Sequence, residues 1–183
     1  MNKEVYLIRH GQSTFNVLYD LNGVDPLDYD APLSELGIRQ CAQARQEAIK
    51  LGVDLVVVSP LTRALETAIE LFGSDPVPIT VSSIHIENLA NSCDIGRNPT
   101  VLSKAFPMLD FKHLEETWWY DGEKDERGVS VEPEQVYLLR VSEFSRWITS
   151  RPERSIAVVG HRTFFHKLTG RRLDNCEIMK WVC

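Results

Sequence analysis

No stretch of this 183-residue chain is apolar for anything near the length that a bilayer crossing requires, so a membrane protein is not expected. The first residues, Met1-Asn2-Lys3-Glu4, carry no basic-then-apolar leader and run straight into a short apolar segment. A secretory signal is therefore not expected, and a cytoplasmic location is. Cysteine is scarce. Cys41, Cys93, Cys176 and Cys183 form no C-x-x-C pair and no metal-ligand spacing, which argues against a zinc module and leaves reduced thiols as the simplest account. An excess of positive charge is also missing. With 20 Lys and Arg against 26 Asp and Glu, the net charge of −6 argues against a general nucleic-acid or acidic-membrane binder. Any phosphate must then be held by a local cationic pocket. There are no repeats, low-complexity tracts or linkers, and the length predicts a single domain over 1–183.

What the chain does have is a set of short, buried-looking strands, each ending in polar chemistry. Val5-Tyr6-Leu7-Ile8 reads as a strand of a parallel sheet and stops at Arg9-His10-Gly11, where Gly11 is expected to turn the backbone sharply. A short helix is predicted over Ser13 to Asp20, then a loop to Pro32, then a helix from Ser34 with Gly37, Cys41, Ala44, Ala48 and Leu51 as its buried stripe. Asp54 to Val58 is the second strand and Leu61 to Phe72 the next helix. Pro78 to Val81 is the third strand, and Ile84-His85-Ile86-Glu87 alternates like one. The stretch 89–132 is irregular, with a short helix or two. Pro133 fits the first position of a long helix through Tyr137, Val141, Phe144 and Ile148. Ser155 to Val159 is the fourth strand, followed by a helix to Leu168, and Glu177 to Val182 is the last strand. Strands alternating with helices predict an α/β fold, a three-layer α/β/α sandwich around a mostly parallel sheet.

Ligands bind at the carboxyl ends of strands in such sheets. Arg9 and His10 follow the first strand, Arg63 the second, His85 and Glu87 the third, and His161 the fourth. Two arginines can clamp a phosphoryl group, one neutral histidine can attack phosphorus, and a second can donate hydrogen bonds to its oxygens. A carboxyl group can protonate the leaving oxygen and later activate water.

The chain resembles the histidine phosphatase superfamily, the phosphoglycerate mutase-like proteins. The likeness is carried by Arg9-His10-Gly11-Gln12-Ser13-Thr14-Phe15-Asn16, by Ala31-Pro32-Leu33-Ser34-Glu35-Leu36-Gly37 with Gln40, and by Ser59-Pro60-Leu61-Thr62-Arg63-Ala64 with Thr67-Ala68. Glu87 and Val158-Val159-Gly160-His161 complete it. The resemblance implies a phosphoglycerate mutase-like fold and His10 as the phosphorylated nucleophile. Arg9, Arg63, His161 and Asn16 would hold the phosphoryl group, and Glu87 would be the proton donor. It implies a small phosphorylated substrate. No cofactor and no metal are expected, since the Arg and His set can neutralise the phosphoryl charge alone and the Asp and Glu residues are not spaced as an oxygen cage. Two positions depart from the family pattern. Gln12 stands where an acidic residue is common, and Arg162 stands where a small one is. Arg162 either adds a substrate contact or turns away to a surface acid.

Glu115 and Glu116 are the alternatives to Glu87 as the acid. His85, if on a continuous strand with Glu87, would share its face, though a structural role fits it better. His113 and His166 read as loop and helix-surface residues, Trp118 and Trp119 as anchors, Cys41 as core and Cys93 as a residue near the mouth. Phosphomonoester hydrolysis is the leading expectation, ahead of a mutase-type phosphoryl transferase and of a phosphate-binding regulatory module. Mutases need segments that close over the site. With the last strand running to Val182, no closing tail is expected here, and Trp118 to Arg127 is the one candidate cover. The substrate and the oligomeric state are not readable at this level.

Overall fold

The computed structural model describes residues 3–181. Five strands form one sheet: β1 (Glu4–Arg9), β2 (Leu55–Val58), β3 (Ile79–Val81), β4 (Ser155–Gly160) and β5 (Ile178–Trp181). Their order is β3-β2-β4-β1-β5, with every neighbouring pair parallel except β1 with β5. All four residues of β2 are buried, and so are all but the first of β4. Central parallel strands covered on both faces have this composition, rich in Val, Ile and Leu.

Six helices cover the sheet: α1 (Thr14–Asn22), α2 (Glu35–Lys50), α3 (Thr62–Phe72), α4 (Pro99–Ala105), α5 (Glu134–Ser150) and α6 (Arg162–Thr169). The alternation of each strand divides the core in two. Ile8, Val56, Val58, Ala157 and Val159 pack with α2 and α3 through Cys41, Ala48, Ala64, Ala68 and Leu71. Val5, Leu7, Val57, Ile156 and Val158 pack on the other side with α5 and α6 through Tyr137, Val141, Phe144, Phe164 and Phe165. The three-layer sandwich read from the alternation of elements is the fold observed.

The differences from expectation are local. Ile84 to Glu87 is not a strand: β3 pairs with β2 over three residues, and the chain then turns across the carboxyl ends of the sheet. The I-H-I-E alternation does not mark a strand face: the neighbours His85 and Ile86 are both buried in that turn, and Ile84 and Glu87 are part-exposed. Pro133 is the N-cap of α5 rather than its first residue. Val182, the expected end of the last strand, and Cys183 lie outside the described residues. Gly11 does not take a left-handed conformation. A Cβ there would lie 2.8 Å from the carbonyl oxygen of Gly37, and one on Gly37 would lie 2.1 Å from that of Gln12. The two glycines let the turn after β1 rest directly on the start of α2.

Candidate active site

The carboxyl ends of three adjacent strands build the floor. In the register of β1 with β4, Arg9 pairs with Gly160, so the next residues, His10 and His161, stand side by side. Their rings lie 5.3 Å apart. His10 N–H donates to Gly160 O at 3.0 Å and Ser59 N–H to Val159 O at 3.1 Å, which ties the three strand ends together. Ser13 then caps α1 in a reciprocal capping box with Asn16: each side chain accepts the other's backbone N–H.

His10 is buried, and its Nδ1 lies 2.6 Å from Gly11 O. A carbonyl only accepts, so Nδ1 carries the proton and Nε2 presents a lone pair. That lone pair accepts from Arg63 Nε at 3.3 Å. Burial, then Arg63 and Arg9, hold the imidazole well below its ordinary pKa, so it is neutral at pH 7. Arg63 is fixed from behind: Nη1 donates to Cys93 O at 2.6 Å and Nη2 to Asp94 Oδ1 at 3.0 Å. Arg9 Nη1 donates to Leu173 O at 3.1 Å, while its Nε is buried without a protein partner. His161 is fully buried. Its Nε2 lies 2.7 Å from Ser59 Oγ and its Nδ1 has no partner. Burial, then Arg63, lowers its pKa too.

Glu87 sits at the start of α6. Its Oε2 accepts from Thr163 N–H and its Oε1 from Phe164 N–H, each at 3.0 Å. Oε1 accepts Asn88 N–H as well. His161, the N-cap residue of α6, makes no side-chain cap bond, so Glu87 does that work from 74 residues upstream of it. Burial, then the charge of Asp94, raises the Glu87 pKa against the pull of those N–H groups. α3 is built alike. Its N-cap Leu61 offers no side-chain bond, and buried Asp30 accepts Thr62 N–H at 2.8 Å and Thr62 Oγ1 at 2.5 Å.

A cavity of about 480 Å³ opens over this floor. Arg9, His10, Arg63 and Glu87 line it, with Phe15, Asn16, Tyr19 and Asp20 of α1 on one wall. Asn88, Ala90, Asn91, Cys93 and Asp94 form another, and Arg162, Thr163, Asp174 and Asn175 the rim. Asn16 commits Oδ1 to its cap, which leaves the amide N–H₂ for the cavity. Arg162 lines the cavity and makes no ion pair among the described residues, so it does not turn away to a surface acid. Gln12 faces elsewhere, accepting Ser34 Oγ at 2.8 Å.

The structure brings Arg9, His10, Asn16, Arg63, Glu87 and Arg162 to the lining of one cavity, with His161 buried beside His10. Glu115 and Glu116 line separate clefts and do not reach this one. Trp118 to Arg127 does not line it either: Trp118 is core, its Nε1 donating to Arg97 O at 2.8 Å. His85 is structural, its Nε2 donating to Val159 O at 3.1 Å under the ring of Phe144. Cys93 does line the mouth, and burial pushes its thiol far above the ordinary value. Asp94 was missed in the sequence, and Ser59 was read only as part of its motif, not as the partner of His161. Each gains its place through a residue that is distant in the chain. Among the described residues, no three His, Cys, Asp or Glu side chains cluster as a metal site.

Residues 5–181 match the family described as the histidine phosphatase superfamily, branch 1. A relative from Arabidopsis thaliana named phosphoglycerate mutase-like protein 1 is 28% identical, over 99% of this chain and 76% of its own length. Two solved structures share the fold. The α-ribazole phosphatase of Shigella flexneri superposes with a TM-score of 0.64 at 19% identity, over 97% of this chain and 89% of that one. A mycobacterial glucosyl-3-phosphoglycerate phosphatase, in complex with VO3, gives 0.62 at 20% identity, over 97% and 92%.

Proposed function

The chain belongs to the histidine phosphatase superfamily, and from that membership we propose that it hydrolyses small phosphomonoesters through a phosphohistidine on His10. One observation carries the reading: a neutral imidazole whose proton is committed to Gly11 O presents its other nitrogen, in a cavity, to an arginine N–H. In the first step Nε2 attacks phosphorus and the bond from phosphorus to the alcohol oxygen breaks. The Glu87 carboxyl gives that oxygen its proton. Arg63 Nε then turns from Nε2 to a phosphoryl oxygen, joined by Arg9, Asn16 and the unpartnered Nδ1 of His161. Ser59 O–H donating to His161 Nε2 would leave that Nδ1 protonated as a donor. The Gly11 carbonyl stabilises the positive imidazole ring so formed. In the second step water attacks the phosphohistidine, Glu87 takes its proton, and phosphate leaves. Arg162 meets the part of the substrate beyond the phosphoryl group.

The test is a panel of phosphorylated metabolites assayed for phosphate release, with acid-quenched enzyme digested to find an acid-labile phosphoryl group on His10. His10→Ala should lose at least about 10³-fold in kcat while still binding inorganic phosphate; substantial turnover in that variant would refute the mechanism. The mutase reading is favoured by the name of the Arabidopsis relative. With 3-phosphoglycerate and a bisphosphoglycerate primer, phosphate release should equal or exceed isomerisation. Isomerisation faster by orders of magnitude would replace hydrolysis with transfer.

A further inference from the structure

Beneath the turn that carries His10 lie two thiols that the chemistry above does not use. Cys41, in α2, and Cys176, in the turn before β5, are 135 positions apart, and their sulfurs are 3.5 Å apart. Cys41 has no exposed surface and Cys176 has 7%. Both reach the backbone of the turn. Cys176 N–H donates to Arg9 O at 3.0 Å, and its neighbour Asn175 donates to His10 O at 2.9 Å. The Cys41 thiol donates to Thr67 Oγ1 at 3.8 Å, which accepts Gly11 N–H at 3.1 Å and donates to Arg63 O at 2.7 Å. Cys176 is one of three non-glycine residues among those described with positive φ, at 58°. Such a backbone is uncommon and is held by its surroundings.

We propose that Cys41 and Cys176 form an oxidative modification site, where a small peroxide closes a reversible disulfide behind the Arg9–Gly11 turn and slows turnover at the cavity. Hydrogen peroxide takes one sulfur to the sulfenic acid and releases one water; the second thiol attacks that sulfur and expels another. The two sulfurs together lose two electrons and two protons, and the peroxide becomes two waters. The contact with Cys176 holds the Cys41 thiol below its ordinary pKa against the effect of burial, which suits Cys41 to react first. Burial selects a small oxidant over a bulky disulfide such as oxidised glutathione. The bond draws the sulfurs from 3.5 Å to about 2.05 Å. That closure pulls on the two segments that hold Arg9 O and Gly11 N–H. The effect on turnover rests on the phosphatase reading; formation of the bond does not.

The experiment treats the reduced full-length protein with hydrogen peroxide, blocks free thiols under denaturing conditions and maps the peptides. The expected result is a peptide pair joined through Cys41 and Cys176 and an intact mass lower by about 2 Da. Hydrolysis of an aryl phosphate should fall at least about five-fold in kcat/KM and return with dithiothreitol. Cys41→Ser and Cys176→Ser should each hold their activity under peroxide; where either fails to fold, the wild-type peptide map still decides. Free Cys41 and Cys176 after treatment, sulfinic or sulfonic acid without a cross-link, or a bond to Cys93 or Cys183 in their place would overturn the proposal, as would a cross-link that leaves turnover unchanged. A reduced protein that is inactive and yet forms the cross-link would count against the phosphatase reading and uphold the modification site.

Discussion

At the scale of single residues, the site turns on two protonation states displaced in opposite directions. In the proposed mechanism His10 must be neutral to attack, and its pKa lies well below 6.5 because of burial and two arginines. Activity is therefore lost on the acid side only as pH falls well below 6.5. The same mechanism needs Glu87 to hold its proton, and burial and Asp94 raise its pKa above 4.5. Activity is lost on the alkaline side as pH rises through that raised value. The expected kcat/KM profile is a bell between these limbs. Asp94→Asn removes a negative charge near Glu87, so its alkaline limb should move to lower pH, and the weaker hold on Arg63 should cost about tenfold in kcat/KM. A pH series on wild type and variant with one aryl phosphate reads both; an unmoved alkaline limb would show that Asp94 does not tune Glu87.

At the scale of elements, α3 and α6 share a device. Each starts at the end of a buried strand with no side chain of its own to cap it, and each borrows a carboxylate from elsewhere, Asp30 and Glu87. Glu87→Gln should then have two effects. Alkyl phosphates, whose leaving oxygens need a proton, should lose about 10² to 10⁴ in kcat while aryl phosphates lose far less. The start of α6 should also loosen, at a cost of about 1 kcal/mol in a denaturant titration. Equal losses on both substrates would move the acid role away from Glu87. Elements and their order could be read from the sequence because strand ends such as Arg9-His10 and Gly160-His161 are local patterns next to apolar runs. Glu87 was placed by its position after the third strand and by family likeness, but its surroundings come from the turn over the sheet, which the I-H-I-E alternation hid. Asp94, the bond of Ser59 to His161 and the Cys41–Cys176 pair were invisible: each depends on a neighbour contributed by a different part of the fold. Gly11 was marked as special for the turn it makes; the approach of Gly37 adds a second reason that the sequence did not show.

At the scale of the whole molecule, a chain of net charge −6 gathers Arg9, Arg63 and Arg162 around one cavity. Those guanidiniums supply the positive charge that a phosphoryl group needs, so we expect activity to survive exhaustive chelation. Loss on chelation with rescue by Mg²⁺ or Zn²⁺ would contradict this. The same cavity hangs from the middle of the sheet, where the His10 amide is bonded to Gly160 O between two central strands. An amide so placed trades its hydrogen for deuterium only when β1 and β4 part, which is to say when the molecule unfolds. Its exchange rate should match that of the slowest core amides, while those of exposed α1 exchange far sooner. His10 thus has no private flexibility: substitutions that loosen its backbone must first weaken the whole fold, and those that merely reshape α1 leave it undisturbed.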